Sequence, residues 1–122
     1  MGKTLDFVNA YYDATNNKKD AGAAAMLMDK KFIFIGPLMR LEGVAANIEI
    51  LKKLLPAHKE TRMLKQFEDG SDVCSLYEMD VMTPVGAILT LAIADWMKVR
   101  NGKIVEQTIY YDPREFALAF GM

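Results

Sequence analysis

The sequence predicts an α+β domain in which helices come first and strands follow as hairpins. Three observations carry this. Apolar residues recur at helical spacing in two stretches before residue 56. From residue 60 onward, extended segments alternate with turn signals. Two of those signals, Asp69-Gly70 and Asn101-Gly102, mark tight hairpins, because both dipeptides tolerate positive φ. Helices followed by hairpins place the helices on one face of a curved antiparallel sheet.

Thr4 is expected to cap the first helix, with Asp6 in the first turn, where a negative charge suits the dipole. Leu5, Val8 and Tyr12 share one face, and Phe7, Tyr11 and Ala14 form an adjacent stripe. "NNKKDAGAAAMLMD" reads as a second, short helix with Asn17 as its cap and Asp20 three residues on. Gly22 inside it costs about 1 kcal/mol relative to Ala. "KKFIFIG" switches to strand and stops at Gly36-Pro37, and "LMRLEG" is a short return strand ending at Gly43. "VAANIEILKKLLP" is a third helix with Val44, Ile48, Leu51 and Leu55 on one side and Pro56 at its end. Strands over 60–68, 72–82, 87–100 and 103–112 then run in antiparallel meander order, with Thr83-Pro84-Val85-Gly86 as a longer turn. "PREFALAF" closes the chain with a helical turn.

The composition narrows the function. A chain of 122 residues, 52% hydrophobic and 25% charged, is read as one folded unit over 1–122. Fifteen Lys plus Arg against sixteen Asp plus Glu leave a formal charge of -1, so no global field invites nucleic acid or an anionic membrane. No apolar run approaches the ~20 residues of a membrane span, and the opening residues have no apolar leader. Gly2 is not followed by the Ser or Thr that a myristoylation signal needs; Asp6 stands there. A cytoplasmic protein is expected. One cysteine, Cys74, excludes an intrachain disulfide, and with one histidine, His58, it excludes a Cys/His zinc cluster. There is no Gly-rich phosphate loop, and neither metal nor cofactor is expected.

Asp95 is the anomaly. In the segment 87–99 the odd positions are Ala, Leu, Leu, Ile, Asp, Met and Val, whereas the even set from Ile88 to Arg100 is mixed. Side chains on one face recur every second residue, so Asp95 belongs to the apolar row. A bare buried carboxylate costs several kcal/mol, so it must pair, take hydrogen bonds or raise its pKa. Either a tyrosine hydroxyl or a backbone amide satisfies it in the core, or it lies at the floor of a ligand pocket. Trp96 faces the other way, where it suits an interface. His58, in "LLPAHKETR", reads as a solvated loop histidine. The nine methionines fill the core or line an adaptable apolar pocket.

The helix "FVNAYYDATNNKKD", the lead into "MLMDKKFIFIGP", and the ending "IADWMKVRNGKIVEQTIYYDPREF" together give a resemblance over essentially the whole chain. It resembles the nuclear transport factor 2-like superfamily, and within it the SnoaL-like, ketosteroid-isomerase-like members. The resemblance implies a cone: a strongly bent sheet of cystatin-like type wrapped around N-terminal helices, a pocket at the open end, and commonly a homodimer. It implies that Asp95 stands where the isomerases keep a protonated acid beside the developing enolate oxygen. Tyr11 or Tyr12 falls near the oxyanion tyrosine, and Tyr12 is favoured because it shares the Leu5–Val8 face. The isomerases' general base would fall among Phe34, Ile35, Gly36 and Pro37, where no carboxylate is present. In the epoxide-hydrolase branch, Asp80 matches an acid of the water-activating set, Glu78 replaces its arginine, and Ile109 replaces its second acid. Asp112 fits a cap for the final turn. The expected catalytic residues are therefore Asp95 and Tyr12, and the expected pocket wall includes Tyr11, Phe34, Met63, Asp80, Met97, Ile109 and Tyr111. The implied function is binding or transformation of a hydrophobic, carbonyl-bearing small molecule, of polyketide-cyclase or isomerase type or without catalysis. The alternative is a non-enzymatic module that docks a protein on its exposed sheet face.

Overall fold

The computed structural model describes residues 3–122, and the Gly2 reading lies outside the described residues. Helix α1 spans Lys3–Tyr12, so Thr4 is already inside it and does not cap it. A carboxylate from another element serves that helix end instead: the Leu5 amide donates to Glu68 Oε2 at 2.8 Å. The chain continues into a π-helical turn, Asp13–Asn17, closed by the Lys18 amide on the Asp13 carbonyl at 3.0 Å. Asn17 braces that turn through Asp13 and caps nothing after it.

Lys19, at φ 53, breaks the chain, and Asp20 becomes the cap of α2 (Ala21–Ala25) by accepting from the Ala23 amide at 3.0 Å. Asp20→Ala is expected to cost about 1 kcal/mol, read as a lower urea midpoint at constant slope. An unchanged midpoint would show that the short helix needs no cap.

The strands are β1 (Met28–Ile35), β2 (Arg40–Glu42), β3 (His58–Asp69), β4 (Asp72–Met82), β5 (Ile88–Arg100) and β6 (Lys103–Tyr110). They form one curved, unclosed sheet in the order β2-β1-β6-β5-β4-β3. The four long strands are the expected antiparallel meander. One pairing departs from it: β1 lies parallel to β6, which makes the sheet mixed. Parallel neighbours need a long crossover, and here it runs from β2 through helix α3 (Val44–Leu54) and three strands. Bulges in β3 and β5/β6 add to the bend.

Helix α3 begins at Gly43, whose φ of 90 suits glycine alone, and ends in a 3₁₀ turn, Leu55–Ala57, containing Pro56. Helix α4 (Arg114–Phe120) follows Asp112, which accepts from the Arg114 amide at 3.1 Å and grips its guanidinium. Val8, Phe32, Val73, Met97 and Ile104 fill the centre between helices and sheet. Among the described residues, no helix is long and apolar enough to cross a membrane, and no group of three His, Cys, Asp or Glu could hold a metal ion.

Candidate functional site

Strand β5 alternates cleanly from Leu91 to Val99, odd residues inward. Asp95 is therefore fully buried, at 0% exposure. Register supplies its partners. Ser75 on β4 and Ile109 on β6 lie directly opposite, so Tyr77 and Gln107 are the diagonal neighbours on the same face. Tyr77 Oη donates to Asp95 Oδ2 at 2.7 Å, and Gln107 Nε2 donates to the same oxygen at 2.9 Å.

Burial pushes the Asp95 carboxyl up to about 6, against hydrogen bonding from Tyr77, Tyr12 and Gln107 that favours the charged form. Tyr12 stands near enough to bias that ionisation, yet no well-aligned bond joins the two groups. Tyr12 Oη and Asp95 Oδ1 are buried with no partner of good geometry among the described residues. Burial and the Asp95 charge hold the phenols of Tyr11, Tyr12 and Tyr77 well above their usual range, so all three remain protonated donors.

Above this cluster lies a cavity of about 170 Å³. Its walls come from the inner face of β4–β6, Phe34 of β1, the end of α1, one side of α3, and Phe116 and Phe120 of α4. Hydrocarbon predominates; Tyr12, Tyr77, Gln107, Asn47 and His58 supply the principal polar groups. Asn47 is committed, donating from Nδ2 to the Gly43 carbonyl at 2.7 Å. Asp95 does not reach the cavity, but Tyr12, Tyr77 and Gln107 do. Its charge acts on the cavity wall through those three groups.

His58 is not solvated. It opens β3, is 9% exposed, and takes Lys19 Nζ on Nδ1 while Nε2 meets Thr61 Oγ1 at 2.7 Å. That pattern fits a neutral ring with its proton on Nε2. Burial and the Lys19 charge both lower its pKa, which agrees with a neutral ring. The described lining includes no carboxylate, and the wall at the end of β1 is Phe34. The arrangement can offer the Tyr12 hydroxyl to a ligand oxygen. It has no free base opposite that could remove a proton from carbon.

The SnoaL-like domain family matches residues 8–107, most of the chain. The chain belongs to the SnoaL-like domain family. Solved structures agree on the fold. An NTF2-like protein of unknown function from Cytophaga hutchinsonii is 28% identical, with 93% of this chain and 94% of that one covered, at a TM-score of 0.81. A candidate polyketide cyclase from Xanthomonas campestris is 21% identical over 95% of both chains, at a TM-score of 0.77. TerC, co-crystallised with polyporic acid, is 17% identical over 98% of both chains, at a TM-score of 0.80. At such identities the last two likenesses show the fold alone. No curated protein is significantly similar in sequence.

Within this SnoaL-like frame, Tyr11, Tyr12, Phe34 and Ile109 border the cavity. Four other residues expected at the wall are elsewhere. Met63 sits opposite Tyr77 but on the edge strand β3, which leaves it 38% exposed. Asp80 has the even parity of β4 and points outward, held by Arg62 at 2.8 and 3.0 Å and by Thr90 at 2.6 Å. Met97 points inward but is sealed in the core. Tyr111 lies one ring back, edge-on to Phe116 with centroids 6.2 Å apart.

The cavity is also bordered by Tyr77, Gln107 and Asn47, which sequence reasoning passed over, and by His58, which it read as solvated. Tyr77 was readable, since it shares its parity with Val73, Val81 and the other buried residues of β4. Nothing in the local sequence distinguishes Asn47 from an exposed helix residue.

Proposed function

We propose that the cavity binds a small, hydrophobic, carbonyl-bearing molecule, whose oxygen accepts the Tyr12 hydroxyl while Tyr77 and Gln107, aligned by Asp95, frame it. The carrying observation is the polar set at one wall of an apolar cavity: Tyr12, Tyr77 and Gln107, all buried and gathered around the Asp95 carboxylate. A few convergent polar groups in an apolar hollow are the usual make-up of a small-molecule site. A volume near 170 Å³ suits one or two rings and not a steroid-sized compound. That structures of the same fold are named for polyketide cyclisation, and one was co-crystallised with polyporic acid, supports an oxygenated cyclic ligand.

In this reading Tyr12 touches the ligand and Asp95 is a positioning residue. Any acid–base step would need a base supplied by the ligand or by His58 after release from Lys19. Action in the cytoplasm belongs to the same reading. The protein pairs as a homodimer through the outer sheet face, where Phe67, Cys74 and Trp96 align across three strands, with Phe67 and Trp96 exposed.

Acetophenone and 2-acetylnaphthalene are expected to raise the melting temperature of the wild-type protein. Tyr12→Phe should lower their affinity about tenfold, the worth of one buried hydrogen bond, with the fold retained. The absence of a shift with any aromatic ketone or quinone would favour the second reading, a protein-docking module acting through the same outer face.

A further inference from the structure

A second hollow adjoins the cavity. It is a wider groove of about 670 Å³ lined by Lys18, Lys19, Asp20, Lys52 and the end of α3, and it shares Leu55 and His58 with the cavity as a common wall. We propose that cavity and groove form one site for an apolar acid, its hydrocarbon ring in the cavity and its anionic group among Lys19, Lys52 and Lys18. The inference rests on the cavity being a ligand site and specifies the class of that ligand.

The charges in the groove are lopsided. Three lysines face one aspartate, and the Asp20 carboxylate already serves the Ala23 amide as a helix cap. Lys18 leans on Asp13 at 3.5 Å across an exposed surface, a contact of little strength. Lys52 is exposed and makes no ion pair among the described residues. Lys19 spends two of its three protons on His58, at Nδ1 and at the carbonyl oxygen 2.9 Å away, which leaves one for a groove ligand. Burial and the neighbouring Lys59 charge both push the Lys19 ammonium's pKa down, the condition in which an incoming anion is most welcome.

The cavity itself offers an acid nothing of the kind. No lysine or arginine lines it among the described residues, and the buried Asp95 would oppose a second negative charge. An acidic ligand is thus held with its ring inward and its charge at the His58–Lys19 end. Lys19 stands at a left-handed turn, φ 53, just before α2.

The test is isothermal titration of the full chain with 3-phenylpropionate and 4-phenylbutyrate, each against its own methyl ester. The better-fitting acid should bind about fivefold more tightly than its ester in low salt, and the preference should shrink as salt rises. Lys52→Gln, an exposed change that leaves the fold intact, should cut the preference by about half with ester affinity unchanged, and Lys19→Gln with Lys52→Gln should abolish the preference. Acid and ester binding alike, or an acid preference that survives in the double variant, would overturn the inference and leave the cavity reading standing. Binding of neither would overturn this inference alone, because neither probe carries a ring carbonyl for Tyr12, and the aromatic ketones decide the cavity reading separately.

Discussion

Asp95→Asn is expected to stabilise the protein by about 3 kcal/mol at pH 8 and by almost nothing at pH 4. The gap between the ordinary 3.8 and about 6 converts to that figure at about 1.4 kcal/mol per tenfold change. A carboxyl raised in the folded state binds more protons folded than unfolded between those two values, so stability falls as pH rises through the window. Below 3.8 the group is protonated in both states and the penalty vanishes. Asparagine keeps the shape and cannot ionise. Its oxygen can accept from Tyr77 and Gln107, and its amide can donate to the neighbouring Tyr12 oxygen. Asp80 and Asp112 are held below the usual carboxylate range by Arg62 and Arg114, so they act in the opposite direction, losing stability as pH falls. They contribute equally to wild type and variant and cancel in the difference. Urea denaturation of both proteins at pH 4 and pH 8 measures it. An equal gain at the two pH values, or a loss at pH 8, would refute a strained, ionised Asp95.

Phe32→Ala should remove about 3–5 kcal/mol, the range for deleting a fully buried ring. Phe32 is 1% exposed and belongs to the central core cluster. Phe34 lies two residues further along the same side of β1, but at the cavity wall. A ring that already borders open space forfeits fewer contacts when it is removed. Phe34→Ala should therefore cost clearly less and enlarge the room beside Ile109. Denaturant midpoints at constant slope make the comparison. Equal losses at the two positions would mean that the cavity wall is packed as tightly as the core.

The sequence made the inward turn of Asp95 legible because β5 keeps strict alternation over thirteen residues without interruption. The turn dipeptides placed the hairpins for the same reason: their backbone demands are local. The partners of Asp95 on β6 were harder to read. A simple two-residue hairpin at Asn101-Gly102 pairs Arg100 with Lys103, and continued evenly it would set Met97 against Glu106. The bulge between Lys98 and Val99 shifts the register by one, turning Gln107 inward and Glu106 outward, where it meets Lys98. No dipeptide announces that bulge. The burial of His58 was equally hidden, because it depends on Lys19, thirty-nine residues earlier in the chain. Asp80 was misplaced for a different reason. Its family position suggested an active-site acid, although its parity on β4 already turned it outward.

The parallel seam between β1 and β6 has a consequence for how the chain is born. β1 spans Met28–Ile35, and its long-range neighbour begins only at Lys103. On the ribosome the early helices and first strand must wait, apolar side exposed, until β6 has emerged. Such distant closure slows assembly. The newborn chain therefore carries exposed apolar surface for as long as β6 is missing.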